Sequence, residues 1–162
     1  MMRALAILLA ATLSACGLQP MYAGGGSGVV AQGLSEIVVP AIPGRRGWLV
    51  RNALEERLGV AGEGSARYRL DVRLDDDLEA LGVLNDDTIS RERRILRARY
   101  QLVDIASGDI LLDDTAGSDA GIDVVSSEYA TIAAEQTALE NLSREIADLI
   151  VTDISLALRP KP

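Results

Sequence analysis

Two stretches of alternating polarity constrain the fold of this chain more than any other feature of its sequence. Apolar and charged residues alternate over residues 66–75 and again over 91–104, which is the period of a strand with one buried face. Between them, Asn85, Asp86 and Asp87 form a turn signal. We therefore predict a long antiparallel hairpin, which must find a layer to cover its apolar face.

The register of this hairpin decides which side chains share its solvent face. A three-residue loop at 85–87 makes paired residue numbers sum to an even total, which places both apolar sets on one face. It also sets Asp75 opposite Arg97 and Glu79 opposite Arg93. The other face then carries seven arginines: Arg67, Arg69, Arg73, Arg91, Arg93, Arg97 and Arg99.

This arginine stripe has two interpretations. On an otherwise acidic protein, it is suited to phosphates or to an acidic partner surface. Alternatively, Asp71, Asp75 and Glu79 neutralise it through cross-strand ion pairs. Seven arginines against three acids leave an excess of positive charge, so we favour a binding role for the stripe.

A strand and a helix are predicted before the hairpin. Residues 36–42 are rich in β-branched residues and contain Pro40, which favours an edge position in a sheet. Apolar residues at helical spacing then run from Trp48 to Leu58, and Gly59 supplies a stop. Trp48 could be exposed at a membrane interface, but we expect it to pack in the core.

A further strand and a long helix follow the hairpin. Residues 109–116 are predicted to form a strand that is reached through Ser107 and Gly108. From about 126 to 158 the period changes to that of a helix, with Ser126 as N-cap and Pro160 as the stop. Its apolar stripe is formed by Tyr129, Ile132, Gln136, Leu139, Leu142, Ile146, Leu149 and Ile150. This stripe could join a partner helix, but we expect it to cover the sheet.

These elements define one domain over residues 36–159, in the order β-α-β-β-β-α. The order predicts an α+β fold, a two-layer sandwich in which two helices cover a four-stranded, mainly antiparallel sheet. Two groups of acids could suggest calcium, namely Asp75 to Asp77 and the set Asp113, Asp114, Asp119 and Asp123. Neither has the spacing of a calcium loop. We interpret both groups as solvated acidic loops and predict no metal site.

Composition excludes several kinds of chemistry. The chain has no histidine and one cysteine, which removes histidine-dependent triads, Cys-His nucleophiles and the usual zinc sites. Its net charge of −8 argues against nucleic-acid binding through overall charge. An anchored glycan hydrolase would need two carboxyls about 5–9.5 Å apart, one of them desolvated. Because the acids lie mostly in predicted loops or on polar faces, we expect no catalytic residues.

The first residues read as an export signal. Arg3 is followed by an apolar run from Ala4 to Leu13, which is too short to span a bilayer. The sequence Leu13-Ser14-Ala15-Cys16 resembles a bacterial lipobox, so residues 1–15 are expected to be removed and Cys16 to carry a covalent lipid, with no other cofactor. Residues 16–35 are expected to be a flexible, partly glycine-rich tether.

Several segments together resemble the LPS-assembly lipoprotein family LptE in its alphaproteobacterial form. They are the opening Cys16-Gly17-Leu18-Gln19-Pro20-Met21-Tyr22, the segment from Arg45 to Leu54, the arginine-rich hairpin ending in Tyr100-Gln101-Leu102-Val103-Asp104, and the helical segments 128–130 and 133–135. The order and spacing of these pieces carry the resemblance over nearly the whole mature chain.

The resemblance implies a non-catalytic role. It implies an outer-membrane lipoprotein on the periplasmic side that plugs the LptD β-barrel, helps it assemble and contacts lipopolysaccharide, with the membrane reached through the lipid anchor. Gly17 after the lipidated cysteine favours the outer membrane. The seven arginines are the candidate residues for contact with lipopolysaccharide or the barrel wall. An accessory lipoprotein of another envelope machine is the alternative.

Overall fold

The computed structural model describes residues 28–59, 66–83 and 89–159 of the chain. The elements are α1 (Val29–Ser35), β1 (Ile37–Val38), α2 (Gly44–Leu58), β2 (Tyr68–Val83), β3 (Ile89–Asp104), β4 (Ile110–Asp123) and α3 (Glu128–Ala157). The predicted α+β fold is confirmed, with the predicted order extended by the short helix α1. None of the helices in the described ranges is both long and apolar enough to cross a bilayer.

The four strands form one sheet in the order β1-β2-β3-β4. β1 runs parallel to β2, and the other pairs are antiparallel. The predicted edge position of the first strand is confirmed, but that strand is much shorter than residues 36–42. Pro40 and Pro43 lack the N–H groups that a longer ladder needs, and the chain turns into α2 directly after Pro43.

The predicted hairpin register is confirmed. Asp75 lies opposite Arg97 and Glu79 lies opposite Arg93. The predicted three-residue loop at 85–87 lies outside the described residues. Since the pairing is continuous from Tyr68 to Leu81, each side chain of β2 has the face that the polarity pattern predicts.

A tight turn joins β3 to β4. Asp104 Oδ1 accepts hydrogen bonds from the backbone N–H groups of Ala106 and Ser107, and Gly108 adopts a φ of 78° that favours glycine. β4 continues to Asp123 instead of ending near residue 116. The interpretation of the four acids from Asp113 to Asp123 as loop residues was therefore wrong: Asp113 and Asp114 lie in the predicted part of the strand, and Asp119 and Asp123 lie in its continuation.

The core lies between the sheet and the two longer helices. One sheet face, which we call the inner face, packs against α2 and α3. Its fully buried side chains include Leu70, Leu96, Ala98, Tyr100 and Leu102. The hydroxyl of Tyr100 donates a hydrogen bond to Asp153 Oδ2 at 2.6 Å, which satisfies its polar end inside the core. Burial, together with this hydrogen bond, raises the pKa of Tyr100.

The long helix is confirmed, but part of its predicted stripe is not buried. Leu139, Leu142, Ile146 and Ile150 are buried, whereas Tyr129, Ile132 and Leu149 are exposed. Ser143, Ala147 and Val151 are buried in addition, because α2 packs beside α3 and covers this side of the helix. The helix is preceded by Ser127 rather than Ser126, and the Ser127 side chain makes no capping hydrogen bond.

Two expectations near the start of the domain were wrong. Trp48 has an exposed fraction of 60%, whereas Val50 and Leu54 are fully buried. Gly47, Val50, Leu54 and Leu58 form the buried side of α2, and Trp48 lies one position away from that side. The expected flexible tether extended to residue 35, but Val29–Ser35 is helical and Leu34 is buried in the core.

Candidate functional site

The candidate site is the second face of the sheet, which we call the outer face. In the described part of the chain, no helix packs against this face of β3 and β4. Its side chains form three columns. The middle column, on β3, is rich in arginine, the column on β2 holds four acids and two arginines, and the column on β4 holds three acids and two glycines. The register aligns them as Asp75, Arg97 and Gly117 in one row, and as Glu79, Arg93 and Gly121 in another.

The arginines of β3 pair with the acids of β4. Arg91 Nε donates to Asp123 Oδ1 at 3.0 Å, and Arg93 Nε donates to Asp119 Oδ2 at 3.0 Å. Arg99 makes two hydrogen bonds to the carboxylate of a third acid, Asp113, at 3.2 and 3.3 Å.

Two of these pairs shift the pKa values of their members. The Arg93 hydrogen bond lowers the pKa of Asp119, and the hydrogen bonds from Arg99 and then Gln101 lower that of Asp113. The same bonds raise the pKa of the guanidinium groups of Arg93 and Arg99. All of these groups are solvent-exposed, so salt weakens the pairs and each contributes little to stability.

The excess positive charge expected for the stripe is absent. Six arginines lie on the outer face of the strands: Arg69, Arg73, Arg91, Arg93, Arg97 and Arg99. Seven acids share that face: Asp71, Asp75, Asp77, Glu79, Asp113, Asp119 and Asp123. The expectation failed because the acids of β4 were interpreted as loop residues. The suggested neutralising pairs of Arg97 with Asp75 and Arg93 with Glu79 do not form either.

Two of the seven predicted arginines are not neutralised. Within the described residues, Arg73 and Arg97 make no ion pair. Arg73 lies directly opposite Arg99 on the neighbouring strand. Arg97 lies over Gly117, where an added Cβ would be 3.5 Å from the Arg97 Cγ. Together with Arg99, these residues form the most cationic part of the outer face, which we call the Arg73 cluster.

A cavity adjoins the Arg73 cluster. It has a volume of about 450 Å³ and lies between the Pro40–Ile42 loop and the start of β2. Arg73, Arg99 and Gln101 line it from the sheet, together with Val72 and with Asp71, whose carboxylate is paired with Arg69. Guanidinium and amide N–H groups at one open cavity are suited to an anionic ligand such as a phosphate or a carboxylate.

The other two predicted arginines lie at the start of β2. Arg69 makes a bidentate pair with Asp71, with both Nε distances at 3.0 Å. The Arg67 side chain lies 3.7 Å from Asp104 and also stacks over the ring of Tyr68, at 5.0 Å. Both are therefore occupied by neighbouring groups. Cys16, the predicted lipid site, lies outside the described residues.

Sequence reasoning missed an ionic cluster on the inner face, formed by Asp76, Arg94 and Arg46. Arg94 makes a bidentate pair with Asp76 at 2.7 and 2.8 Å, and Arg46 of α2 reaches the same carboxylate at 3.3 Å. Arg94 also donates to the carbonyl oxygen of Glu135 in α3 at 3.3 Å. The side chains of Asp76 and Arg94 are 7% and 16% exposed. This cluster therefore connects β2, β3 and both large helices.

The cluster left a signal in the sequence. Asp76 lies on the same side of the alternating pattern as Leu70, Val72 and Leu74, and Arg94 lies on the same side as Leu96. Charged residues at core-facing positions of two paired strands predict a buried ion pair. The interpretation of Asp75 to Asp77 as an acidic loop hid this signal.

The hydrogen bonds from Arg94 lower the pKa of Asp76, with a smaller contribution from Arg46. A general acid of a glycan hydrolase needs the opposite, a carboxyl whose pKa is raised so that it stays protonated. The cluster is therefore suited to holding elements together.

Solved structures share this fold. A putative lipoprotein from Caulobacter crescentus is 29% identical, with a TM-score of 0.68, and the match covers 83% of this chain and 100% of that one. Rare lipoprotein B from Shewanella oneidensis is 10% identical, with a TM-score of 0.55 and coverage of 74% and 92%. A minor lipoprotein from Acinetobacter baumannii is 16% identical, with a TM-score of 0.55 and coverage of 78% and 92%. Below 25% identity, the likeness concerns the fold alone.

The family comparison covers most of the domain. No curated protein matches the sequence significantly. The sequence model of one family, described as "LptE: Lipopolysaccharide-assembly", matches residues 34–154. That range begins at the buried Leu34 of α1 and ends within α3, so it includes all four strands. The sequence resemblance is therefore confirmed, and the chain belongs to the LptE family of lipopolysaccharide-assembly lipoproteins.

Proposed function

We propose that this protein is a lipid-anchored, non-catalytic component of the outer membrane that binds inside the LptD barrel and contacts lipopolysaccharide during its delivery to the surface. The family match over residues 34–154 carries the role in lipopolysaccharide assembly. The lipid on Cys16, the outer-membrane location, the barrel partner and the ligand contact are parts of the proposal.

The charge pattern of the outer face supports contact with a polar partner. A sheet face that contacts lipid or a hydrophobic core is apolar, whereas this face carries six arginines and seven acids. Lipopolysaccharide carries phosphates and carboxylates, which arginine binds in a bidentate manner. The Arg73 cluster is the best candidate for this contact, because Arg73 and Arg97 make no ion pair among the described residues.

The anchor and the partner can be tested together in a Gram-negative host that depends on this protein. We expect the wild-type chain to fractionate with the outer membrane, to incorporate labelled fatty acid and to co-purify with LptD. The variant Cys16→Ser should lose the label and the membrane fractionation. A wild-type chain that is labelled but co-purifies with a different envelope machine would support the alternative role and contradict this one.

The ligand contact can be tested with purified lipopolysaccharide in vitro. We expect the triple variant Arg73→Gln, Arg97→Gln, Arg99→Gln to weaken binding about tenfold or more, because it removes Arg73 and Arg97, which make no ion pair with a described residue, together with Arg99, which lines the adjoining cavity. A matched control, Arg69→Gln, Arg91→Gln, Arg93→Gln, removes the same charge from the same face. These three arginines are already paired with Asp71, Asp123 and Asp119. Equal loss in both variants would show that overall charge, and not the Arg73 cluster, determines binding.

A further inference from the structure

Within residues 28–59, 66–83 and 89–159, one edge of the sheet has no strand neighbour over most of its length. β1 pairs with β2 only at Tyr68 and Arg69, after which Pro40 and Pro43 lead the chain into α2. The Pro40–Ile42 loop still lies beside residues 71–73. From Leu74 to Leu81, β2 has no strand neighbour on this side among the described residues. The backbone N–H and C=O groups that point outward there have no partner within the sheet.

The protection of this free edge against strand addition is its negative charge, which repels acidic strands and attracts basic ones. Natural edge strands are blocked by proline, by charged side chains, by inward-pointing charges, by a bulge or by being short, and here the inward-pointing charge of Asp76 is already neutralised by Arg94 and Arg46. The segment Leu74–Leu81 has the sequence LDDDLEAL, with no proline and no basic residue. It pairs with β3 without any register shift. A basic extended polypeptide can therefore add to this edge through backbone hydrogen bonds.

The edge also carries free negative charge. Asp75, Asp77 and Glu79 occupy consecutive outer-face positions, and none forms an ion pair with a described residue. Arg93, which lies opposite Glu79, makes its ion pair with Asp119 of β4 instead. The outer acids of β4 are all paired with arginines of β3. The two edges of the sheet therefore differ: among the residues that the structure describes, the β2 edge carries three consecutive outer-face carboxylates without an ion pair, and the outer acids of the β4 edge are paired.

The other side of the same edge offers apolar surface. Leu78 and Ala80 lie on the inner face next to Asp76, and both are exposed. A strand that adds here meets carboxylates on one side and apolar groups on the other. The matching strand therefore alternates basic and apolar residues.

We infer that the free edge of β2, Leu74–Leu81, is a docking site for an extended strand of another polypeptide, with lysine or arginine facing Asp75, Asp77 and Glu79 and apolar residues facing Leu78 and Ala80. A second copy of this chain does not fit. If two β2 edges paired antiparallel with Asp77 at the centre, Asp75, Asp77 and Glu79 of one copy would face the same carboxylates of the other, and the like charges would repel. This inference does not depend on the role in lipopolysaccharide assembly.

The test uses the full-length lipidated chain in detergent and a capped peptide of about eight residues that alternates lysine and valine. Hydrogen exchange followed by mass spectrometry should show new protection of residues 74–81 and none of 110–123. A peptide of alternating glutamate and valine should give no protection. If the glutamate peptide protects equally, or if protection appears on β4, the inference is wrong.

Two matched variants sharpen this test. The first is the triple variant Asp75→Asn, Asp77→Asn, Glu79→Gln. It should weaken binding of the lysine peptide about tenfold at low salt, which is the size expected for three lost charge pairs. Asp113→Asn, Asp119→Asn, Asp123→Asn makes the same change in charge on β4 and should leave the affinity within about twofold. Equal effects would contradict the inference, as would a dimer of the wild-type chain that protects 74–81 without peptide. The exchange map of the wild type decides the matter even if a variant folds poorly.

Discussion

The two faces of the sheet use the same residue types in opposite ways. On the inner face, Arg94 and Asp76 form a bidentate pair that is nearly excluded from solvent and is anchored to both large helices. On the outer face, one residue earlier in the chain, Arg93 pairs with Asp119 in an exposed position. The comparison shows that burial, and not the presence of an ion pair, determines whether a charge pair organises the fold.

The largest expected effect lies in the core beneath the inner face. Ile146→Ala should lower the free energy of unfolding by about 3–4 kcal/mol, because it leaves a cavity at a fully buried position of α3. Ile132→Ala is the matched control, since Ile132 is on the same helix but is exposed, and should change it by less than about 0.5 kcal/mol. Urea denaturation measures both. Similar losses would mean that the first turns of α3 are covered in the protein.

Substitutions of two glycines, one buried and one on the outer face, should give the next largest difference in stability. Gly47→Ala should lower the free energy of unfolding by about 2–3 kcal/mol, because the new Cβ would be 2.3 Å from the carbonyl oxygen of Ile42. Gly121→Ala, on the outer face, places its Cβ where no other atom lies within 4 Å, and thermal denaturation should not detect a loss. A tolerated Gly47→Ala would show that the loop before α2 moves easily.

The inner ionic cluster should show both a loss of stability and a pH dependence. Asp76→Asn is expected to lower the free energy of unfolding by about 2 kcal/mol at pH 7, since the charged hydrogen bonds from Arg94 are weakened. The pKa of Asp76 is lower in the folded chain than in the unfolded chain.

The contribution of the Asp76 carboxylate to the free energy of unfolding is therefore complete above the pKa of an unfolded aspartate, about 3.9. It is lost as the pH falls through the lower pKa of the folded chain. The difference between wild type and Asp76→Asn should accordingly shrink as the pH is lowered from about 5 to 2. A difference that stays constant over this range would contradict the linkage.

The smallest effect is expected for the exposed pair. Arg93→Gln should leave the free energy of unfolding unchanged in about 0.15 M salt, where exposed charge pairs are screened. Arg94→Gln changes the adjacent residue to the same amide but leaves Asp76 with only Arg46 in the cluster, so we expect a clear loss. Urea titrations of the two variants compare the faces directly, and equal results would remove the distinction between them.

Local patterns were sufficient for much of the fold. The alternation in 66–75 and 91–104 determined the register of the hairpin, because a shift by one residue would have turned every apolar side chain to solvent. The helical period after residue 126 determined α3 for a similar reason. The candidate site was predicted only in part. All seven arginines lie at the predicted strand positions or next to them, but four of them pair with acids that the sequence did not identify as partners, and Arg69 pairs with the expected Asp71 along its own strand instead of across strands.

The sequence by itself determined which residues of each element are apolar, and through that periodicity the hairpin, its register and the long helix. Only the tertiary structure decided which charges meet, because ion pairs depend on which strand lies beside which. Placing β4 next to β3 gave Arg91, Arg93 and Arg99 their carboxylates and left Asp75, Asp77 and Glu79 without an ion pair to any residue that the structure describes. The packing of α2 beside α3 likewise buried Val50 and Leu54 and left Trp48 exposed, since periodicity is local whereas neighbours come from distant parts of the chain.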